Sequence, residues 1–397
     1  MKAISSCRVR NLVLVAALGV SLGFVPTAFA GFRSFIVDPN SKAVVDIGTL
    51  GGIDAFARGI NDAGQVVGWS RTSGGNTHAF ITGSDGAGIK DLGTLGGSDS
   101  WAYGINAAGE VVGRSLITGD KAYHAFITGP NGDGMTDLGT LGGSASWAYG
   151  INTAGQAVGI SLTSGDKSFR AFTTDAKGGN MTDLGTLGGD YSAAHGINST
   201  GQVVGDSFTN SGAQRAFITG ANSVGMTDLG TLGGDTFAYG VNDTGQAVGQ
   251  SNSHAFISGA NGGGLTDLGT LGGDESVAYG VNNAGQVVGA AQIPLLPEES
   301  VSDFHAFVTS PNGSGMTDLN SLVNLPGDPL TESYGVNNLG QVIAGGFIAT
   351  IPEPESYALM LAGLVLVGVM VRRSRHTKPL ASEAGLIILK LDESALL

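Results

Sequence analysis

One seven-residue passage, Asp-Leu-Gly-Thr-Leu-Gly-Gly, recurs along the chain and limits the folds that the sequence can adopt. Five identical copies, then one near copy and one degraded copy, begin at Asp91, Asp137, Asp183, Asp228 and Asp267, at Asp46, and at Asp318. In chain order, successive starts are 45, 46, 46, 45, 39 and 51 residues apart. A period of this size indicates an array of similar structural units.

Each unit has the pattern of four short strands. The segment Trp101–Asn106 alternates large and small side chains, which is typical of a strand packed on one face. Asn106-Ala-Ala-Gly109 predicts a turn, because Asn favours the first position of a type I turn and Gly accepts the positive φ that follows. Further strands are predicted at 110–115, at 124–128 and near 135–138. Four strands in about 45 residues is the size of one propeller blade.

Counting half-units predicts how the array closes. The Asn-x-x-Gly turn occurs seven times, at Asn61/Gly64, Asn106/Gly109, Asn152/Gly155, Asn198/Gly201, Asn242/Gly245, Asn282/Gly285 and Asn337/Gly340. The chain opens with the second half of a unit near Phe32 and ends the array with a first half over Tyr334–Phe347. Pairing these halves would leave no exposed edge. We predict an all-β, seven-bladed β-propeller over residues 31–350, closed by N- and C-terminal half-blades, with an open β-solenoid as the alternative.

Charge and cysteine content exclude several classes of function. Residues 31–355 contain 11 Lys and Arg against 30 Asp and Glu, so the net charge of this part is near −19. A nucleic-acid partner is excluded, because nucleic-acid binding requires a basic surface. The only cysteine is Cys7, which lies in a segment that we expect to be removed. No disulfide and no thiol chemistry are therefore predicted in the mature protein.

The N-terminal segment has the features of an export signal. A basic start is followed by the apolar stretch Leu12–Val25 and by Ala28 and Ala30, the small residues of an Ala-x-Ala cleavage site. We predict that residues 1–30 form a signal peptide cleaved after Ala30. The alternative is an uncleaved N-terminal anchor.

The C-terminal region combines a short motif, an apolar stretch and a basic cluster. In chain order these parts are Pro352, Glu353 and Pro354, then residues 357–371, then Arg372, Arg373 and Arg375. The apolar stretch predicts a transmembrane helix that contacts the membrane through residues 357–371, although fifteen residues are slightly short for a full span. The arginines would hold the helix with that end in the cytoplasm.

This order resembles the PEP-CTERM sorting signal, placed here at residues 351–375, with Pro352, Glu353 and Pro354 as the defining tripeptide. The resemblance implies a Gram-negative bacterium that makes exopolysaccharide, and an exosortase-type processing enzyme as partner. It also implies transient anchoring in the inner membrane before release to the cell surface or extracellular matrix. Residues 376–397 continue beyond the arginines as an atypical tail.

A second resemblance concerns the tripeptide His-Ala-Phe, which begins at His78, His124, His254 and His305. Over residues 32–347 the chain resembles the extracellular HAF repeat family. The histidine position is occupied in the other copies by Arg33, Arg170 and Arg215. Because Arg is not a general base but donates N–H bonds as His does, we predict a structural hydrogen bond and not catalysis. The expected acceptors are the repeated aspartates, among them Asp91, Asp137, Asp183, Asp228 and Asp267.

Two further positions suggest ligands. With one Asp per unit, and with Asn131–Gly134 resembling only half of a calcium loop, we predict no cofactor and keep calcium as the alternative. Trp101 and Trp147 share a repeat position, and a tyrosine follows two residues later in most copies. We interpret these aromatic residues as packing between blades, with a sugar-stacking platform as the alternative.

No nucleophile elbow, zinc-protease motif or phosphate-binding loop is present in the sequence. The loop between the second and third strands differs in every copy and is longest at Ile293–Phe304, and variable loops on a rigid scaffold are common binding sites. We predict a non-enzymatic surface or matrix scaffold of a biofilm that binds exopolysaccharide or a surface protein. The alternatives are a polysaccharide hydrolase or lyase, and a matrix filler without a specific ligand.

Overall fold

The computed structural model of the protein describes residues 30–294, 303–323, 325 and 329–349. Twenty-eight β-strands form seven antiparallel sheets of four strands each. Apart from Ala30, the predicted signal peptide lies outside the described residues, as do the predicted sorting signal at 351–375 and the tail at 376–397.

The strands are numbered in chain order. The first two are β1 (Ala30–Val37) and β2 (Val44–Asp46). Blade 1 contains β3 (Gly51–Ile60), β4 (Val66–Thr72), β5 (Thr77–Thr82) and β6 (Ile89–Asp91). Blade 2 contains β7 (Gly96–Ile105), β8 (Val111–Ile117), β9 (Tyr123–Gly129) and β10 (Asp133–Gly139). Blade 3 contains β11 (Gly142–Ile151), β12 (Ala157–Thr163), β13 (Phe169–Thr174) and β14 (Met181–Asp183).

The remaining blades repeat this order. Blade 4 contains β15 (Gly188–Ile197), β16 (Val203–Thr209), β17 (Gln214–Thr219) and β18 (Met226–Asp228). Blade 5 contains β19 (Thr236–Val241), β20 (Ala247–Ser251), β21 (His254–Ser258) and β22 (Leu265–Asp267). Blade 6 contains β23 (Ser276–Val281), β24 (Val287–Gln292), β25 (Phe304–Thr309) and β26 (Met316–Asp318). The last two strands are β27 (Glu332–Val336) and β28 (Val342–Ala349).

Single-turn 3₁₀ helices follow the third strand in six blades, at Ser84–Gly86, Pro130–Gly132, Ala176–Gly178, Ala221–Ser223, Ala260–Gly262 and Pro311–Gly313. Another 3₁₀ helix lies at Leu319–Ser321. In blade 2 the N–H of Gly132 donates to the carbonyl of Gly109 at 3.0 Å, so the 3₁₀ turn and the Asn-x-x-Gly turn lie together. We name this side of the ring the turn face. The opposite side, which carries the loops between second and third strands, is the loop face.

The ring closes in blade 7, whose strand order is β27, β28, β1, β2. Strands β1 and β28 pair along eight residues, from Ala30 opposite Ala349 to Val37 opposite Val342. The predicted closure by two half-blades is confirmed. The open solenoid is not the fold of this chain, because the first and last strands of the array pair with each other and leave no terminal edge exposed to solvent.

The hydrophobic core lies between neighbouring blades. Seven clusters of buried apolar side chains each draw on adjacent sheets. The phenylalanine of the His-Ala-Phe position is fully buried in six copies, at Phe80, Phe126, Phe172, Phe217, Phe256 and Phe307. Burying a side chain of this size stabilises a fold by about 1.5–3 kcal/mol. The tripeptide therefore supplies the core between blades.

Within the described residues, no helix combines the length and the apolar character that crossing a membrane requires. The segment predicted to form a transmembrane helix, residues 357–371, lies outside those residues, so that helix stays a prediction.

Candidate functional site

The predicted donor and acceptor positions meet on the third and fourth strands of five blades. His Nδ1 or Arg Nη2 lies 2.7–2.8 Å from the nearer carboxylate oxygen in His78–Asp91, His124–Asp137, His254–Asp267, His305–Asp318 and Arg33–Asp46. Among the described residues, Arg170 and Arg215 form no such pair with Asp183 and Asp228. Arg215 Nη1 instead donates to the carbonyl of Gly234 at 2.7 Å.

The repeated aspartates have a second role that the sequence did not suggest to us. In blade 2, Asp137 Oδ1 accepts the N–H of Gly139 at 2.7 Å, while its other oxygen faces His124. Asp183 and Asp228, which lack an arginine partner, keep the same bond to Gly185 and Gly230. The hydrogen bond from the glycine N–H to the Asp carboxylate is therefore present with or without a His or Arg partner, and the His or Arg contact is an addition to it. Within residues 30–349 as described, no group of three His, Cys, Asp or Glu side chains is placed to hold a metal ion.

The residue two positions after Trp101 faces the centre of the ring. With its counterparts it forms a closed set, here named the axial ring, of Arg58, Tyr103, Tyr149, His195, Tyr239, Tyr279 and Tyr334. The centroids of neighbouring aromatic rings are 4.7–5.6 Å apart from Tyr103 round to Tyr334. The guanidinium carbon of Arg58 lies 3.5 Å from the centroid of Tyr334 and closes the contact with blade 7.

Glycine after each axial-ring residue allows the inner strands to approach one another. A Cβ at Gly104 would lie 2.8 Å from the carbonyl oxygen of Tyr149 in the next blade. A Cβ at Gly150 would lie 3.0 Å from that of His195. A register shift between Ala102 and Gly104 forms a β-bulge at Tyr103, and bulges redirect side chains. The Tyr-Gly pair thus aims a large side chain at the axis where the backbones are closest.

Two cavities lie on the axis of the propeller, between the axial ring and the turn face. A cavity of about 190 Å³ is lined by Arg58, Tyr334, the glycines and a layer of Ile and Val side chains. A second, of about 220 Å³, lies at the turn face among the asparagines of the Asn-x-x-Gly turns. Along the axis, starting from the turn face, the channel is lined first by polar asparagines, then by apolar Ile and Val side chains, and then by the aromatic axial ring.

The asparagines form a second closed set, named the Asn ring: Asn61, Asn106, Asn152, Asn198, Asn242, Asn282 and Asn337. Each Nδ2 donates to the backbone carbonyl of the asparagine in the next blade at 2.9–3.3 Å, and Asn337 completes the circle by donating to Asn61. Each Oδ1 also accepts N–H groups of its own turn, as Asn106 does from Ala108. Gly109 has the positive φ of +76° that the turn pattern predicts. These side chains join blades as well as shaping turns.

The three tryptophans of the chain lie beside two arginines in blades 1–3. Arg114, on β8, has its guanidinium carbon 4.7 Å from the ring centroid of Trp101 and 5.8 Å from that of Trp147. Arg58 lies 4.6 Å from the centroid of Trp69. Burial raises the pKa of Tyr103, and the charges of Arg114 and Arg58 oppose that rise. We name Arg58, Arg114 and the three tryptophans the Arg–Trp cluster.

The tryptophans are half-buried and belong to none of the seven core clusters. The expected packing between blades is present, since Tyr103 contacts Tyr149 and Arg114 contacts Trp147 across blades 2 and 3. The tryptophans nevertheless lie outside the buried core. The reason is that the small residues between them, such as Ala102 and Ala148, point into the core instead.

His195 and Asp206 break the symmetry on the far side of the axial ring. His195 Nε2 is 2.8 Å from Asp206 Oδ1, and Gln214 Nε2 donates to Asp206 Oδ2 at 2.7 Å. Asp206 is 2% exposed, so this carboxylate is enclosed and both oxygens are engaged. Burial, followed by the charge of Asp206, raises the pKa of Tyr191 to about 12. These residues were missed from the sequence, although His195 and Arg58 are the two departures from tyrosine at their position.

The loops between second and third strands project from the loop face. Their aspartates are used locally: Asp120 Oδ1 accepts the N–H of Ser98 at 2.7 Å, and Asp166 Oδ1 that of Ser144 at 2.7 Å. Residues 295–302, most of the longest loop, lie outside the described residues.

One family model matches the sequence. Residues 350–375 match the PEP-CTERM protein-sorting motif, so the resemblance stated for the C-terminal region is confirmed. The motif indicates an exported protein and supports an exosortase-type processing enzyme as its partner. No curated protein matches the chain.

Several solved structures are similar to this chain. TolB from Acinetobacter baumannii is 11% identical, with 85% of this chain and 69% of that chain covered and a TM-score of 0.43. An oligogalacturonate lyase from Vibrio parahaemolyticus is 11% identical, with 82% and 97% covered and a TM-score of 0.45. A prolyl endopeptidase is 10% identical, with 80% and 55% covered and a TM-score of 0.49. These similarities transfer no activity to this chain, whose own strand order establishes the seven-bladed propeller.

Proposed function

We propose that this protein is a non-enzymatic binding scaffold of the cell surface or extracellular matrix, exported and then processed through its C-terminal motif. The observation that carries the proposal is the position of the motif. The matched segment begins at residue 350, directly after β28 ends at Ala349. All twenty-eight strands of the described residues precede the motif, so removing the motif would leave the seven sheets complete.

The location and the ligand class belong to the proposal. A Gram-negative host, transient anchoring in the inner membrane through residues 357–371, and a role in an exopolysaccharide biofilm follow from the PEP-CTERM resemblance. The HAF repeat resemblance rests on the tripeptide alone. The net charge near −19 over residues 31–355 suits a surface protein that stays soluble and does not bind nucleic acid.

The competing function is a polysaccharide hydrolase or lyase, and one observation favours it. His195 and Asp206 form an enclosed pair at the axis, and an aspartate that orients a histidine is a common arrangement in general-base catalysis. Against a glycosidase, Asp206 has both oxygens engaged and so offers no free carboxylate to a sugar. Incubation with polysaccharides while reducing ends and unsaturated uronates are measured would separate the two functions.

Sorting is tested by replacing Glu353, the centre of the tripeptide, with alanine. Export should persist, and the full-length chain should accumulate in the inner membrane. The matched control is Glu355→Ala, which changes a neighbouring carboxylate outside the tripeptide and should be processed as the wild type is. Mass spectrometry of the surface form decides the outcome. An intact peptide spanning residues 356–372 in the wild-type surface protein would show a plain anchor and contradict the proposal.

A further inference from the structure

The Arg–Trp cluster is confined to one sector of the ring. All three tryptophans, Trp69, Trp101 and Trp147, lie on first or second strands of blades 1–3. At the positions of Trp101 and Arg114, blade 5 has Phe237 and Gln250, and blade 6 has Val277 and Ala290. Those blades form the same four-stranded sheet without tryptophan or arginine there. The fold therefore does not require the cluster.

Both arginines of the cluster keep hydrogen-bonding capacity. Among the described residues, no carboxylate lies within 4.0 Å of Arg58 or Arg114, whereas Arg33, Arg71 and Lys90 each have one. The Nε atoms of Arg58 and Arg114 are buried and have no hydrogen-bond partner. An unsatisfied buried donor costs about 1–3 kcal/mol, so the fold keeps these two guanidinium groups at a cost and supplies no acceptor to their Nε atoms.

The carboxylates on the same strands are committed elsewhere. Asp99, two residues before Trp101, accepts the N–H of Thr77 at 2.7 Å. Asp54 accepts the N–H of Phe32 at 2.9 Å and faces Arg71 with its other oxygen. Glu332, on β27, accepts the hydroxyl of Tyr334, the ring on which Arg58 stacks, at 2.6 Å. None of these three carboxylates forms an ion pair with Arg58 or Arg114. Blades 1–3 thus present a local positive charge, stacked on aromatic rings, within a strongly acidic protein.

We propose that the Arg–Trp cluster binds an acidic saccharide, with a uronate carboxylate on the guanidinium groups and pyranose rings against the tryptophans. The inference rests on the proposed function as an exported scaffold and names its ligand class. A guanidinium fork matches a carboxylate in a bidentate geometry, and its stacking on indole fixes its orientation. Large aromatic faces with a polar edge suit a sugar ring that is apolar on one side.

The tryptophans of the cluster are an intrinsic fluorescent probe of this site. All of its tryptophans lie in the cluster, so intrinsic tryptophan fluorescence reports on no other region. The full chain in a mild detergent would be titrated with a tetrasaccharide of 1,4-linked uronic acid, its methyl ester and cellotetraose. We expect a saturable fluorescence change and heat of binding with the acid alone. A sulfated cellotetraose distinguishes carboxylate recognition from recognition of any anion.

Substitutions assign the binding to the cluster. Arg114→Gln should weaken binding of the acid about tenfold or more, the loss expected when one charge-assisted contact is removed. Arg114→Lys keeps the positive charge but loses the bidentate guanidinium, so its affinity for the acid should lie between those of the wild type and Arg114→Gln. The double substitution Arg58→Gln with Arg114→Gln should abolish binding. Arg170→Gln, on β13 in the outer half of blade 3, is the matched control and should bind as the wild type does.

The proposal is overturned if the acid and its methyl ester bind equally, if neither binds, or if folded Arg114→Gln binds the acid unchanged. Equal binding of the sulfated probe overturns the assignment to uronate. Melting temperatures of all variants separate lost binding from lost structure, and Arg114→Lys remains informative if Arg114→Gln is unfolded. None of these outcomes affects the processing test at Glu353, so the two proposals fail independently.

Discussion

In every blade the axial-ring residue lies on the inner strand and the asparagine of the Asn ring lies three residues later, just after that strand ends. The two rings differ in one respect. Asparagine is present in every blade of the Asn ring, and its amides form an unbroken circle. The axial ring has five tyrosines but also Arg58 and His195. The residue that is identical in every blade has a structural role that every blade requires, namely a hydrogen bond to the neighbouring blade. A position that departs from the repeat in particular blades is free to serve binding.

The largest expected effect tests the closed ring on which this comparison depends. Deleting Gly31–Leu50 removes β1 and β2 and leaves β28 with an unpaired edge. We expect loss of cooperative unfolding and aggregation. Light scattering and a calorimetric melting curve measure both, and deletion of residues 376–397, which follow the last strand of blade 7 in the sequence, is the control. A soluble deletion variant with an unchanged melting temperature would argue against closure through blade 7.

The comparison itself predicts unequal costs in the two rings. Asn152→Ala removes the bond to the carbonyl of Asn198 and leaves buried groups without partners, so it should destabilise the fold by about 2–3 kcal/mol. Arg58→Gln, in the axial ring, should change the free energy of unfolding by less than about 1 kcal/mol, since no described carboxylate pairs with Arg58 and the substitution removes its unpaired buried Nε. Urea unfolding measures both. Asn180→Ala, at an exposed amide that contacts Asp175, is the control. Equal costs in both rings would remove the distinction.

The His–Asp pairs lie outside both rings and should matter less than buried pairs do. Asp137 has 41% of its side chain exposed, so His124→Leu should cost less than about 1 kcal/mol. His124→Arg should be neutral, because blade 7 already pairs Arg33 with Asp46. Asp137→Ala should cost more than His124→Leu, since it also removes the bond to Gly139. Chemical denaturation of the three variants gives the order, and a reversed order would contradict it.

The smallest effect concerns a single tyrosine beside the axial ring. Burial raises the pKa of Tyr191 from 10.0 to about 12, so between these values the unfolded chain loses a proton that the folded chain keeps. The contribution of this group is complete below pH 10 and is lost as the pH rises towards 12. Tyr191→Phe should flatten the fall of the melting temperature in that window. An unchanged slope would show that Tyr191 titrates normally.

The sequence allowed the blades and their closure to be predicted, because strand, turn and half-unit patterns are local and were repeated seven times. It did not reveal the Asn ring, since Asn106 shows its turn in its own segment but its bond to Asn152 only across two blades. The axial departures at Arg58 and His195 were visible in the repeat alignment. Their partners were not, because Trp69 and Asp206 lie on second strands at a position that differs in every blade.

The pairing of Ala30 with Ala349 has a consequence for the timing of folding. Strands that meet across nearly the whole chain form late, because the entropy of closing so long a loop opposes their contact. In blade 7, β1 lies between β2 and β28, so one edge of β1 stays unpaired until β28 is available. The interval between emergence of β1 and arrival of β28 is therefore the period in which the chain is most exposed to misassociation.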